Sequence, residues 1–172
     1  MKIVTMMMVL TLVFLDGCSY REGFFSEDVL HESAMIHSQK GEMYNSLEMK
    51  ASIVATYLNS TVIECQKNEG EVFLVAIFID EDSSDESKQG LLNPTFYLTL
   101  NGEVPIEFHA LAYDDDLIKI APFRNRWSTY YKVIFKTSSA KKLKMEYGHT
   151  NYGKVILSFS KEFQDSCQSQ VR

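Results

Sequence analysis

Two acidic segments carry the residue types best suited to metal binding. Segment 80–86 holds five carboxylates and follows an apolar run, and segment 114–116 is three consecutive aspartates. Calcium prefers six to eight oxygen ligands, and two acidic loops at one end of a β-sandwich offer ligands of that kind. The first segment lacks the ligand spacing and the central Gly of an EF-hand. We therefore expect either two solvated acidic loops or a calcium or other ligand site. The residues of that candidate site are Asp80, Asp82, Asp114 and Asp116.

Motifs for other chemistry are weak. The four histidines, His31, His37, His109 and His149, have no zinc-ligand spacing, and no CxxC or HExxH occurs. The sequence also contains no GxSxG, P-loop or GxGxxG motif. Acid–base catalysis needs two positioned groups in a cleft, and nothing in the spacing brings such a pair together. We therefore expect a protein that is not an enzyme and uses no cofactor.

Segment 121–131, APFRNRWSTYY, has the composition of a binding surface. Phe123 and Trp127 interleave with Arg124 and Arg126, and Trp, Tyr and Arg dominate binding hot spots. Arginine beside an aromatic ring also allows cation–π contacts. One interpretation is a partner-binding loop formed by these four residues. The other is that Phe123 and Trp127 plug one end of a sandwich while the arginines stay solvated.

Charge is segregated along the chain. The whole chain has a net charge of −6 and a pI near 5.2, which argues against a nucleic-acid binder. Segment 80–116 carries a net charge of −9, whereas segment 128–161 carries +6. Such polarity suits the steering of a charged partner, or self-association.

The amino terminus has the pattern of a secretory leader. Lys2 precedes an apolar run of 13 residues, 3–15, which is too short to cross a bilayer as a helix. The run ends in Leu15-Asp16-Gly17-Cys18, which resembles the lipobox of bacterial lipoproteins. Asp16 is an unusual charge within that box. An ordinary cleaved signal, with Cys18 incidental, is the alternative.

The lipobox resemblance implies a lipid anchor. In that family the Cys is acylated and the preceding peptide is removed, so Cys18 becomes the first residue of the mature chain and its attachment to the membrane. Several acyl chains hold a protein on a bilayer. Ser19, where an Asp often signals inner-membrane retention, points to the outer membrane, with the domain facing the periplasm. The rest of the chain is loosely similar to uncharacterised envelope lipoproteins of Gram-negative bacteria.

An anchor at Cys18 leaves two further cysteines, Cys65 and Cys167. Disulfides persist in an oxidising periplasm. A bridge between them would close a loop of about 100 residues and contribute up to about 4.7 kcal/mol in the chain-entropy model. Two unpaired thiols are the alternative, because sequence separation does not fix the distance between two side chains.

The elements that must position these residues are mostly strands. A weak helical pattern covers 26–40, with Ser26 as its cap and Gly41 as its stop. Period-two alternation predicts one long strand from Met43 to Tyr57, and the apolar run 71–79 predicts a strand buried on both faces. Asn101-Gly102 predicts a hairpin between strand 95–100 and a return strand 104–113. Three more strands are predicted at 129–136, 142–147 and 154–160.

These elements predict a mainly β fold. About seven short strands without strand–helix–strand alternation favour an antiparallel immunoglobulin-like β-sandwich preceded by one short helix. The predicted domain organisation is a signal peptide at 1–17, a tether at 18–26, the folded domain at 27–163 and a flexible tail at 164–172. We therefore expect a membrane-anchored envelope module that binds another envelope protein or plays a structural role.

Overall fold

The protein is a two-sheet antiparallel β-sandwich. The computed structural model describes residues 22–61, 70–80, 85 and 88–161. Within that part of the chain, β1-β2-β3-β6-β5 form one sheet and β4-β7-β8 form the other. The strands are β1 (Ser38–Asn45), β2 (Glu48–Tyr57), β3 (Glu71–Ile79), β4 (Phe96–Leu100), β5 (Glu107–Ala110), β6 (Thr129–Phe135), β7 (Lys142–His149) and β8 (Gly153–Ser160). The helices are α1 (Glu22–Ile36) and the single turn α2 (Asp116–Lys119).

The strand order confirms the predicted immunoglobulin-like arrangement. Lettered A to G, strands β2 to β8 give one sheet in the order A-B-E-D and another in the order C-F-G, which is the constant-type order. Strand β1 is an extra strand outside A. Its Gly41 leaves no room for a side chain, because an added Cβ would lie 2.9 Å from Val155 of β8. The two sheets therefore meet closely on this side of the sandwich.

Two apolar clusters hold the sheets in place. The larger lies between the sheets and is rich in aromatic rings, such as Phe73, whose ring centroid lies 5.1 Å from that of Phe159. The smaller covers the outer face of β3 and β6, where Leu74 and Tyr130 pack against Ile118 of α2. Strand β3 contributes to both clusters. This confirms the prediction that 71–79 is buried on both faces.

The prediction for the amino-terminal part of the domain was wrong in two places. Helix α1 begins at Glu22, inside the segment assigned to the tether, and ends at Ile36, before Gly41. The predicted long strand is a hairpin, in which β1 turns back into β2 at Ser46 and Leu47, both with positive φ. Neither residue is a Gly, Asn or Asp, so the usual turn signal is missing. Leu47 fits the apolar alternation although it is almost fully exposed.

The hairpin predicted at Asn101-Gly102 was half right. Both residues have positive φ, and Leu100 and Glu103 exchange backbone hydrogen bonds of 2.8 and 2.9 Å, as a tight hairpin turn requires. However, the returning chain does not extend the pairing with β4. It crosses to the other sheet as the short strand β5, which pairs with β6. A turn signal is local and does not specify which sheet the next strand joins.

Candidate functional site

The loop before β6 is held rigidly by one asparagine and one tyrosine. The Asn125 side-chain oxygen accepts hydrogen bonds from the backbone N–H groups of Trp127 and Ser128, both at 2.9 Å. The Tyr130 hydroxyl accepts from the Asn125 N–H at 2.8 Å and donates to the Asn125 carbonyl at 3.0 Å. Since Tyr130 is buried in the smaller cluster, these bonds fix the loop to the sheet.

Arg124 and Phe123 complete the loop. The Arg124 guanidinium lies 4.2 Å from the centroid of the Tyr113 ring and donates to the Tyr113 carbonyl at 3.0 Å. Phe123 has a φ of 58°, a left-handed conformation that is uncommon for a bulky residue. Strain of this kind persists where the surroundings impose it, and it is concentrated at functional sites. The strained backbone therefore marks Phe123 as a candidate functional residue.

Phe123 and Trp127 both project into solvent. Trp127 is 81% exposed and Phe123 is 65% exposed. The interpretation that they plug an end of the sandwich is therefore wrong. The two rings instead stand beside the outer face of β2 and β3. Together they border a groove of about 470 Å³, called here the Trp127 groove. The other residues that line it are Lys40, Glu42, Met49, Ser52, Val54, Ala76, Phe78, Asn125 and Ser128.

The floor of the Trp127 groove is apolar and its far rim is charged. Val54, Ala76 and Phe78 come from the neighbouring strands β2 and β3, where Ala76 belongs to the smaller apolar cluster and Val54 packs against it. On β1, Lys40 and Glu42 form an ion pair at 2.6 Å. This ammonium, followed by the Tyr44 hydroxyl, lowers the pKa of the Glu42 carboxyl. The groove therefore combines an aromatic wall, an apolar floor and one neutralised pair of charges.

A second cleft of about 400 Å³ lies on the other side of Trp127. Arg126, Asp80, Gln89 and Thr129 are among its lining residues. Asp80 is paired with Lys50 at 3.1 Å. Arg126 forms no ion pair with any residue in the described ranges. One cation next to the exposed indole is thus left without an acidic partner in this part of the chain.

The acidic residues do not converge within the described ranges. Asp115 caps α2, accepting from the Leu117 N–H at 2.9 Å, and Asp116 pairs with Lys119 at 2.6 Å. No group of three His, Cys, Asp or Glu residues that could hold a metal ion occurs among the residues whose placement is described. Asp82 lies outside them, so the calcium site that includes it stays a prediction, and Asp80, Asp114 and Asp116 are not brought together.

A buried charged network at the opposite end of β3 was missed by the sequence analysis. Glu71 is almost completely buried and accepts hydrogen bonds from the Tyr57 hydroxyl at 2.5 Å and the Ser138 N–H at 2.8 Å. Lys161, just after β8, forms an ion pair with the same carboxylate. Burial, and then the Glu71 carboxylate, raise the pKa of Tyr57. The only signal in the sequence was a Glu at the start of an otherwise apolar run.

The three cysteines, Cys18, Cys65 and Cys167, all lie outside the described residues, so the lipid anchor and the disulfide stay predictions. Comparison of the chain with protein families, with curated proteins and with solved structures found no match. The helices of the described ranges are too short or too polar to span a membrane.

Proposed function

We propose that this protein is a non-enzymatic binding module of the bacterial cell envelope, attached to the membrane through lipid on Cys18. The module binds an extended segment of another envelope protein in the Trp127 groove. The observation that carries the proposal is the exposure of Trp127 and Phe123 on a loop that is rigidly held.

The hydrogen bonds that fix the loop backbone support a binding role for the exposed rings of Phe123 and Trp127. An exposed aromatic ring on a mobile loop loses conformational freedom when a partner covers it, and this loss weakens binding. Here Asn125 and Tyr130 fix the backbone before any partner arrives. A preorganised Trp beside an apolar floor has the features of an interface hot spot, where a few aromatic and Arg residues carry most of the binding energy.

The charges of the site indicate the chemistry of the partner. The groove floor suits aliphatic or aromatic side chains, and Arg126 on the other side of Trp127 suits a carboxylate. We therefore expect a segment that presents apolar side chains to Phe78 and Phe123 and an Asp or Glu to Arg126. A segment that carries Lys or Arg at that position would place two cations together and bind poorly.

The lipid anchor defines where this partner is found. The pattern Leu15-Asp16-Gly17-Cys18 supports acylation at Cys18, and acylation confines the domain to a membrane surface. Mass spectrometry of the purified protein tests this half of the proposal. We expect a mature amino terminus at Cys18 that carries acyl chains. A mature chain that begins elsewhere, or an unmodified Cys18, contradicts the anchor.

The binding half is tested by variant-dependent capture from membranes. The groove variant is Arg126→Ala with Trp127→Ala, and the matched control is Lys142→Ala with Ile156→Ala, which removes an exposed cation and an exposed apolar side chain from the other sheet. After chemical crosslinking, we expect the wild type and the control to capture the same protein and the groove variant to lose it. Loss of one hot spot costs at least about 2 kcal/mol, or about 30-fold in affinity.

The melting temperature separates lost binding from lost folding. Since the two side chains that the groove variant removes are exposed to solvent, we expect the variant to melt within a few degrees of the wild type. Equal capture by all three proteins contradicts the assignment of the binding surface to Trp127 and Arg126.

A further inference from the structure

Among the residues that the structure describes, none pairs with the outer edge of strand β5, which lies on the open side of the sandwich. Sheet β4-β7-β8 has two strands fewer than the sheet it faces, so β5 has little cover. Phe108 lies on the core-facing side, with its ring centroid 5.9 Å from that of Tyr131, and is nevertheless 41% exposed. Just before β5, Ile106 is 64% exposed. Apolar side chains therefore flank a free strand edge, which is the arrangement that invites pairing with another strand.

The register shows which backbone groups of β5 are free. The Leu111 N–H donates to the Tyr130 carbonyl at 2.9 Å, so these two residues form a hydrogen-bonded pair next to β5. Hydrogen-bonded and non-hydrogen-bonded pairs alternate along an antiparallel ladder. His109 and Lys132 therefore form a second hydrogen-bonded pair, and Phe108 and Val133 form a non-hydrogen-bonded pair. The N–H and C=O groups of Phe108 and Ala110 consequently point away from β6, towards the free edge.

We propose that β5 pairs antiparallel with β5 of a second copy of this chain, about a two-fold axis at His109. This register sets Phe108 of each copy opposite Ala110 of the other. All four outward-pointing groups on each strand then find partners across the axis. The large ring of Phe108 meets the small side chain of Ala110 twice, so the core-facing side of the interface packs without a clash. An interface of this kind is self-complementary, as a two-fold dimer requires.

The reciprocal contact between Glu107 and His109 favours a second copy as the occupant of this edge. Glu107 and His109 lie on the other face of β5, and the carboxylate is 2.7 Å from the imidazole. With the axis at His109, each His109 is also a diagonal neighbour of Glu107 of the other copy, within the range at which cross-strand pairs interact. The two imidazoles lie opposite each other at the axis, and each has the Glu107 carboxylates of its own chain and of the other copy as acceptors. The interface is separate from the Trp127 groove, so the dimer carries two grooves and does not depend on the proposed function.

A cysteine at the axis tests the register. Residues of a non-hydrogen-bonded pair have Cα atoms about 4.5 Å apart, within the range that a disulfide spans. His109 of the two copies would form such a pair, so the full chain with His109→Cys should form a disulfide-linked dimer under mild oxidation. The control Lys132→Cys lies on the same face one strand inward. Three strand spacings separate its two copies by about 14 Å, so no bond should form.

Mass spectrometry identifies the peptides that are joined by the disulfide. It thereby distinguishes a bond at position 109 from bonds at the natural cysteines. A bond between two copies of position 109 supports the proposal. No bond at 109, equal bonds at 109 and 132, or a bond from 109 to a different protein overturns it.

A proline tests the backbone contacts. Ala110→Pro removes an N–H that points to the free edge and leaves the hydrogen bonds to β6 in place. Light scattering on the full chain in mild detergent should show a dimer for the wild type, and a dissociation constant raised by about 30-fold or more for the variant. Circular dichroism checks that the variant is folded. A wild type that stays monomeric at all concentrations overturns the proposal, as does a folded proline variant that dimerises equally well.

Discussion

Replacing the buried Glu71 by Gln should destabilise the domain severely. The carboxylate is surrounded by the Tyr57 hydroxyl, the Ser138 N–H and the Lys161 ammonium, and the Glu71 and Lys161 side chains are 3% and 16% exposed. Gln preserves the shape of the side chain and one acceptor oxygen. It removes the negative charge and turns an N–H donor towards groups that are themselves donors.

The expected cost follows from the burial of the pair. Removing one partner of a buried ion pair costs about 3–5 kcal/mol, because the other charge stays buried without compensation. The total stability of a natural domain is about 5–15 kcal/mol, so the variant should be close to unfolding. With a urea slope of about 2 kcal/mol per molar, the midpoint of unfolding should fall by about 2 M.

The chain provides a matched control in Glu146. Its carboxylate accepts from the Tyr97 hydroxyl at 2.9 Å and from Lys154 at 2.8 Å, so it has the same partner types on the outer surface of the other sheet. The ammonium of Lys154, followed by the Tyr97 hydroxyl, lowers the pKa of Glu146. Since water replaces lost contacts at an exposed site, we expect Glu146→Gln to leave the urea midpoint almost unchanged.

Urea unfolding followed by circular dichroism compares the two variants directly. The difference between their midpoints isolates the effect of burial, because the chemistry removed is the same. Equal midpoints, or a larger fall for Glu146→Gln, would refute the conclusion that the buried Glu71–Lys161 ion pair stabilises the contact between β3 and the residue after β8.

Three further predictions follow from single residues. Phe123→Gly relieves a left-handed backbone conformation that costs about 1–2 kcal/mol. Urea unfolding should therefore show a stability equal to or higher than that of the wild type, although partner capture is lost. A lower stability contradicts the assigned strain. The Tyr147 hydroxyl is buried without a hydrogen-bond partner in the described ranges, so Tyr147→Phe should raise the stability by about 1 kcal/mol, and a clear loss would reveal a missed partner. Cys65 and Cys167 are joined through short segments to Gly70 and Lys161, and Lys161 contacts Glu71 beside Gly70. Both segments are long enough for the two thiols to meet, so we predict that mass spectrometry of the unreduced protein finds them bridged, and two alkylatable thiols would contradict this.

The strands that bury a face could be predicted because their pattern repeats. Strand β3 is continuously apolar since it packs on both sides, and β8 alternates since only one side is covered. Strand β1 was missed because its segment, SQKGEMYN, contains a single buried apolar residue, Met43. It forms through backbone pairing with β2, which leaves little trace in the residue types.

The composition of the candidate site was foreseen, but its geometry was not. The Trp, Phe and Arg content of segment 121–131 predicts a binding surface. The exposure of Trp127 depends on the hydrogen bonds that Asn125 and Tyr130 make. The sequence of such a turn has no pattern that distinguishes a buried Trp127 ring from one exposed to solvent. The groove floor comes from β2 and β3, distant in sequence, so only the folded chain brings it beneath Trp127.

Site-specific photocrosslinking in intact cells tests the central claim most directly. A photoreactive phenylalanine analogue replaces Phe123, at the wall of the Trp127 groove, and the same analogue at Ile156 of the other sheet is the control. We predict one adduct with an envelope protein from position 123, none from position 156, and loss of the adduct when Arg126→Ala and Trp127→Ala are added. The same adduct from both positions, or an adduct that survives the added substitutions, would contradict the account.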